Sequence, residues 1–164
     1  MNARHVATGR PDHPEGEASK TRLRVWLRLL KASRFIEDEL RSRLREECNW
    51  TLSRFDVMAA LARTPNGLKM SEISQRLRVS NGNVTSIVDK LTEDALAQRV
   101  PAPGDRRAHL VQLTREGEAR FADVARRHEA WVNELLSGLT EEDALALASH
   151  LGQLPSLPDG EQRG

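Results

Sequence analysis

Residues 69–114 read KMSEISQRL (69–77), RVSNGNVTSIVDKLTEDALA (78–97) and QRVPAPGDRRAHLVQLT (98–114), and their spacing decides the fold. Ile73 and Leu77 lie one turn apart, which predicts a short helix ending near Leu77, with Ser71 as its cap. Arg78 and Val79 leave room only for a tight connection, and Ser80 then caps a second helix. In that helix Val84, Ile87, Val88 and Leu91 recur on one side, while Asn81, Asn83, Thr85, Ser86 and Lys90 occupy the other. Two short helices with a tight joint, the second carrying a small polar outer face, form the helix-turn-helix pattern. Asn can pair with adenine edges, and Ser and Thr with base edges or phosphates, so that face suits a DNA groove. Helix N–H groups near Ser80 and Gly82 are left unobstructed for a phosphate.

Beyond this helix, residues 97–101 and 108–113 alternate as two strands around Pro103-Gly104-Asp105-Arg106-Arg107. A ribbon with two arginines at its tip is a wing, and Arg106 and Arg107 suit a narrow minor groove. Asp105 would repel phosphate unless it braces a neighbouring arginine, and that is the role expected for it.

Working outward, residues 21–47 predict one long helix, with Leu23, Trp26, Leu27, Leu30, Ile36, Leu40 and Leu44 near a three-and-four spacing. Its first half carries Lys20, Arg22, Arg24, Arg28, Lys31 and Arg34 with no acid, and Arg24, Arg28 and Lys31 share one stripe. The stripe reads either as a solvated face or as an anion site. Cys48-Asn49-Trp50 ends the helix, and Thr51 or Ser53 caps a next one through about Ala62, with Phe55, Val57, Met58 and Leu61 inward. Thr64-Pro65-Asn66-Gly67 is a turn, and residues 68–70 can add a short strand. Thr114 caps a long helix faced by Phe121, Val124, His128, Trp131 and Leu135, and Thr140 opens a last one behind three acids. The expected organisation is a flexible arm (1–19), a dimerisation helix (20–47), a DNA-binding domain (48–113), further dimerisation helices (114–154) and a polar tail (155–164). The fold class is mostly α with a small β wing: a winged helix-turn-helix held between long N- and C-terminal helices.

Composition agrees. The 164 residues are 38% apolar and 30% charged, as expected of long helices that complete their core with a second copy. Net charge is only +1, but residues 20–47 hold nine Lys/Arg against five acids, and residues 114–164 hold five against ten. The phosphate-facing surface therefore belongs to the first part of the chain. No apolar run is long enough to span a membrane, and the first twenty residues lack the apolar core of a secretory signal. A single cysteine, Cys48, points to the cytoplasm.

These motifs resemble the MarR family of winged-helix transcriptional regulators. The resemblance covers about residues 22–154. It rests on Val79-Ser80, on residues 83–91 (NVTSIVDKL), and on Asp105-Arg106-Arg107 placed six to eight residues ahead of Leu113-Thr114. It implies a homodimer whose terminal helices interleave and whose two reading heads meet a near-palindromic operator in double-stranded DNA. It also implies a small-molecule pocket. One departure is Ala95, where the family usually has Gly; if that position is left-handed, Ala is strained there by about 1 kcal/mol. The segments RVWLRLLKASRFIEDEL and LSRFDVMAALARTPNGLKMSE are similar to a narrower group, repressors of aromatic-acid catabolism, some of which sense hydroxycinnamoyl-coenzyme A thioesters. That similarity implies an aryl slot formed by Trp26, Leu30, Phe55 and Met58, with Arg22, Arg24, Arg28, Lys31 and Arg34 meeting phosphates.

Catalysis is not expected. His5, His13, His109, His128 and His150 share no metal-ligand spacing, Cys48 has no neighbouring base, and no glycine loop cradles a phosphate, so neither metal nor cofactor is implied. Two other readings use the same elements: a winged helix that docks proteins rather than DNA, and a DNA-binding repressor that senses oxidants through Cys48. Arg106, Arg107 and the polar helix face speak against the first. The helix-end position of Cys48 disfavours a thiolate and speaks against the second.

Overall fold

A computed structural model describes residues 14–154, and the side chains of residues 16–104 and 108–154 within them. The elements are α1 (Pro14–Cys48), α2 (Leu52–Ala62), α3 (Met70–Leu77), α4 (Asn81–Glu93), β1 (Ala97–Ala102), β2 (Asp105–Leu113), α5 (Arg115–Leu135) and α6 (Glu141–Gly152). Most of the expected arm and all of the expected tail fall outside the described residues.

The chain divides into two units, Met1–Glu39 and Leu40–Gly164. In the first, the helix starts earlier than the apolar spacing predicts, at Pro14. Proline is favoured at the first helical position, where its missing N–H costs nothing, and Glu17 follows in the first turn, where the helix dipole favours acids. Thr21 lies inside the helix and donates its hydroxyl to the Glu17 carbonyl (3.1 Å). This unit leaves Leu23, Val25, Trp26, Leu27 and Phe35 more than half exposed.

The second unit holds the core. Leu44, Val57, Met58, Leu61, Leu68, Ile73, Val84, Val88, Leu91, Val111 and Val124 are all within 2% of full burial. They come from the end of α1, from α2, α3, α4 and α5, and from the sheet. Thr51 caps α2, its hydroxyl accepting from Arg54 N–H (3.1 Å). The α3 cap differs from expectation: the helix begins at Met70, ahead of Ser71, and the Glu72 carboxylate accepts from Lys69 N–H (2.6 Å). A carboxylate reaching back to the residue before the helix satisfies an N–H that Ser71, already in the helix, cannot. Ser80, Thr114 and Thr140 cap α4, α5 and α6 as predicted.

β1 and β2 pair antiparallel from Ala97↔Leu113 to Pro101↔His109, with the register shifting at Ala102↔Asp105. β2 begins three residues earlier than predicted, because the ribbon extends to a two-residue turn at Pro103-Gly104, where Gly104 has φ +81°. Of the short strand expected over residues 68–70, only Leu68 pairs, as a single bridge to Val111 with N–H···O distances of 3.0 and 2.8 Å, because Lys69 caps α3 and Met70 opens it.

The turn from α4 into β1 fixes the ribbon against the helix. Ala95 has φ +57°, the left-handed conformation in which an alanine at this position is strained. Leu96 N–H reaches the Leu91 carbonyl (2.8 Å) and Ala95 N–H the Thr92 carbonyl (3.0 Å), which together form a Schellman cap. Gly117 of α5 seals this turn from the other side: a Cβ there would sit 1.9 Å from the Leu96 carbonyl oxygen.

Candidate nucleic-acid interface

α4 separates its residues as the sequence requires. Val84, Val88 and Leu91 are fully buried and Ile87 is half-buried, while Asn81, Gly82, Asn83, Thr85, Ser86 and Lys90 are exposed. Asn83 N–H donates to the Ser80 hydroxyl (3.3 Å), so the cap is occupied by the helix itself. Thr85 donates to the Asn81 carbonyl (2.9 Å), which leaves that hydroxyl only as an acceptor toward a ligand. Asn81, Asn83, Ser86 and Lys90 present their side chains to solvent with no hydrogen bond or ion pair among the described residues.

The ribbon is braced to this helix by Arg99 of β1, which meets Asp89 of α4 at 2.5 Å. The side chains of Asp105, Arg106 and Arg107 lie outside the described residues; their backbone forms the start of β2. The Asp89–Arg99 pair was not anticipated, although Asp89 stood in the motif. Only the left-handed turn at Ala95 carries β1 back alongside α4.

A second unanticipated group surrounds Arg54. Its guanidinium reaches Asp94, the last cap residue of α4, at 2.7 Å, and stacks over buried Trp50 at 5.2 Å. Its Nε is buried without a hydrogen-bond partner. Two cavities meet at this side chain. One, of about 540 Å³, is lined by Asn49, Trp50, Arg54, Asp94, Leu96, Glu116, Ala119, Arg120 and Asp123. The other, of about 400 Å³, has Asn49, Thr51, Ser53 and Arg54 on one side, and Asn83, Ser86, Ile87 and Lys90 of α4 on the other.

The residues expected to bind a ligand fall in both units. On α1, Arg22, Arg24, Trp26, Arg28, Lys31 and Arg34 are exposed and Leu30 is half-exposed. The five cations among them make no ion pair among the described residues. In the second unit Met58 is fully buried and Phe55 nearly so, stacked on His128 at 4.4 Å and tilted against Phe121 at 5.5 Å. Both are core side chains of that unit and line neither cavity. Burial pushes the His128 pKa below its ordinary value. Cys48 is buried, and burial raises its thiol pKa, so the reactive thiolate is disfavoured. No group of three or more His, Cys, Asp or Glu among the described residues could hold a metal ion, and no helix there is long and apolar enough to cross a membrane.

Comparison with known proteins gives a consistent result. The sequence model of the MarR family matches residues 50–108, which include α2 to α4 and most of the ribbon. The transcriptional regulator PecS of Dickeya dadantii is 34% identical over 102 residues, which are 61% of this chain and 61% of PecS. This chain thus spans less than two thirds of PecS. The transcriptional repressor MdtR of Bacillus subtilis is 32% identical over 113 residues, 69% of this chain and 72% of MdtR. Among solved structures, a mutant MarR from E. coli complexed with operator DNA superposes with a TM-score of 0.64 at 24% identity, covering 76% of this chain and 88% of that one. This last likeness is one of fold.

Proposed function

This chain belongs to the MarR family of winged-helix transcriptional regulators, and on that premise we propose that it is a repressor that binds a near-palindromic operator as a homodimer. The family and the relatives named above are regulators of transcription, not enzymes. One observation carries the DNA reading: on the polar outer face of α4, Asn81, Asn83, Ser86 and Lys90 are unpartnered among the described residues, and Val84, Val88 and Leu91 behind them are fully buried. Such a helix is held rigidly from behind and offers hydrogen-bonding side chains at the front, as entry into a major groove demands. Asn81, Asn83, Ser86 and Lys90 meet base edges and phosphates, with Ser80 and Thr85 beside them. Arg106 and Arg107 at the ribbon tip enter the adjoining minor groove, with Asp105 bracing them. A neighbour of the same fold was solved in complex with operator DNA, which supports the operator-binding reading.

Pairing is supported by the apolar residues left exposed. Leu23, Val25, Trp26, Leu27 and Phe35 in the first unit, and Leu136, Leu139, Leu145, Leu147 and Leu154 in the second, are between 37% and 66% exposed. Scattered exposed leucines are ordinary, but runs of them on terminal helices are what a helical dimer would cover. The effector in this reading is an aromatic acid or its coenzyme A thioester. Its support is the set of unpaired cations Arg22, Arg24, Arg28, Lys31 and Arg34, together with exposed Trp26. A ligand releases DNA only through unequal affinity for the two states, so its binding must weaken when operator is present.

The test is a gel-shift series over salt concentration. Arg107→Ala should weaken operator binding and reduce the salt slope by about one unit, because one phosphate-neutralising cation is lost. An unchanged affinity and slope would remove the wing from the interface. For the effector, calorimetry with aryl acids and aryl-coenzyme A thioesters should give binding that operator DNA suppresses. No heat with any of them would end the sensing reading.

A further inference from the structure

The 400 Å³ cavity beside α4 has a composition that the reading of α4 alone does not explain. One wall is the recognition face itself, Asn83, Ser86 and Lys90; the other is the start of α2, with Thr51, Ser53 and Arg54. Two cations from two different elements border it, and no carboxylate does. Every other polar group on its walls is a hydroxyl or an amide, and each of these can donate a hydrogen bond. Lys90 makes no ion pair, and Ser53 and Ser86 make no side-chain hydrogen bond, among the described residues. Arg54 is held at its edge by Asp94 on one side and Trp50 beneath. Fixed in this way, the guanidinium does not have to be ordered when a ligand arrives, and it keeps the part of its positive potential that Asp94 does not offset. A half-enclosed, acid-free hollow with free donors on both walls is built for an oxyanion.

Its position says which oxyanion. A helix seated in the major groove has a sugar-phosphate strand running along each side. In the operator-binding reading the ribbon reaches across one of them. The cavity opens beside α4 at Asn83, Ser86 and Lys90, where the other strand would pass. Resting on the operator-binding reading above, we propose that this cavity is a backbone-phosphate site. Ser53 of α2 and Lys90 of α4 close on one phosphodiester of the operator, and Arg54 supplies charge behind them. The start of α2 then fixes the depth and angle at which α4 enters the groove. Ser53 becomes a DNA-contact residue outside both the recognition helix and the wing.

The experiment starts from the wild-type chain selecting its operator from a random duplex pool. Binding is then measured for wild type, Ser53→Glu and Ser53→Ala on duplexes that each carry one neutral methylphosphonate, with thermal melts to confirm folding. Ser53→Glu places a carboxylate against the phosphate and should lose at least about tenfold in affinity. Ser53→Ala should lose a few-fold. At one groove-edge position the methylphosphonate should weaken wild type and restore part of the Ser53→Glu binding, since the repulsion is then gone. The proposal is overturned if Ser53→Glu binds like wild type, or if its deficit is the same on every duplex. If it melts like an unfolded chain, the Ser53→Ala series decides alone: a deficit that disappears at one methylphosphonate position supports the site, and no deficit removes it. A wild-type chain that enriches no duplex instead overturns the operator reading itself, which separates the two failures.

Discussion

Two hollows share Asn49 and the Arg54 side chain, and their charge is opposite in kind. The larger sets Asp94, Glu116 and Asp123 against Arg54 and Arg120; the smaller sets Arg54 and Lys90 against no acid at all. In the larger, the carboxylates are largely engaged: Asp94 accepts from Arg54 at 2.7 Å, and Asp123 meets Arg126 and Arg127 at 3.1 and 3.3 Å. That side holds an internal brace between α2 and the end of α4, with the start of α5, internally paired, as its other wall. The smaller side leaves Lys90 and its hydroxyls unengaged. A single arginine thus ties the frame together with one edge and faces an open anion site with the other. The lesson concerns where charge is placed around Arg54: acids are kept to the side behind the reading head, where Asp94 holds it in position, and off the walls of the hollow expected to meet phosphate.

The largest way to break this contrast is to displace the wall behind the brace. Gly117 lets α5 pass so close to the α4–β1 turn that any Cβ would overlap the Leu96 carbonyl, at 1.9 Å. Backbone cannot yield as the tip of a side chain can. Gly117→Ala should therefore destabilise the fold by about 3 kcal/mol, the upper range for overpacking. The denaturant midpoint should fall with little change in slope. A midpoint equal to wild type would mean that α5 and the turn are not clamped together, and the brace would lose its back wall.

A smaller effect should appear with pH. His128 of α5 stacks on Phe55, the α2 residue next to Arg54, and burial depresses its pKa. The unfolded chain then binds more protons than the folded one below the ordinary histidine value of about 6.5. Stability from this group is complete above that value. It is lost as pH falls from there to the depressed folded pKa, and levels off below it. His128→Phe keeps the ring stack and removes the proton. Melts between pH 7.5 and 5 should be flatter for the variant than for wild type, and parallel curves would count against the assignment. No histidine lines either hollow, so this titration reads the stability of the frame and not the charge of either side.

What could be read from the chain beforehand follows the same division. Local features were legible: the cap hydroxyls at Ser80, Thr114 and Thr140, the buried stripe through Val84, Val88 and Leu91, and the exposed face between them. Each depends on residues within a turn or two. The braces were not legible, because Arg54 and Asp94 are 40 residues apart and Arg99 meets Asp89 only after the chain reverses. The start of α1 was obscured because Pro14 and Gly16 read as loop composition, although proline suits a first helical turn. Asn49, Thr51 and Ser53 were legible only as a helix break and a cap; their placement opposite Lys90 gives them a further meaning.

Ala95 offers the finest adjustment, because it lies between two residues of the larger hollow, Asp94 and Leu96. Its φ of +57° is set by the Schellman cap, with both bonds made and with Leu91 and Leu96 buried across it. The cap enforces a conformation that costs an alanine about 1 kcal/mol or more. Glycine removes that strain but gains freedom in the unfolded chain, which returns part of the benefit. Ala95→Gly should therefore stabilise the protein by about 0.5–1 kcal/mol, read as a higher denaturant midpoint. Operator affinity should stay unchanged, because the cap geometry that places Asp94 beside Arg54 and β1 beside α4 is already the one glycine prefers. If affinity changes while stability rises, the strained turn is part of how the reading head is set, and the brace and the DNA face are not separable after all.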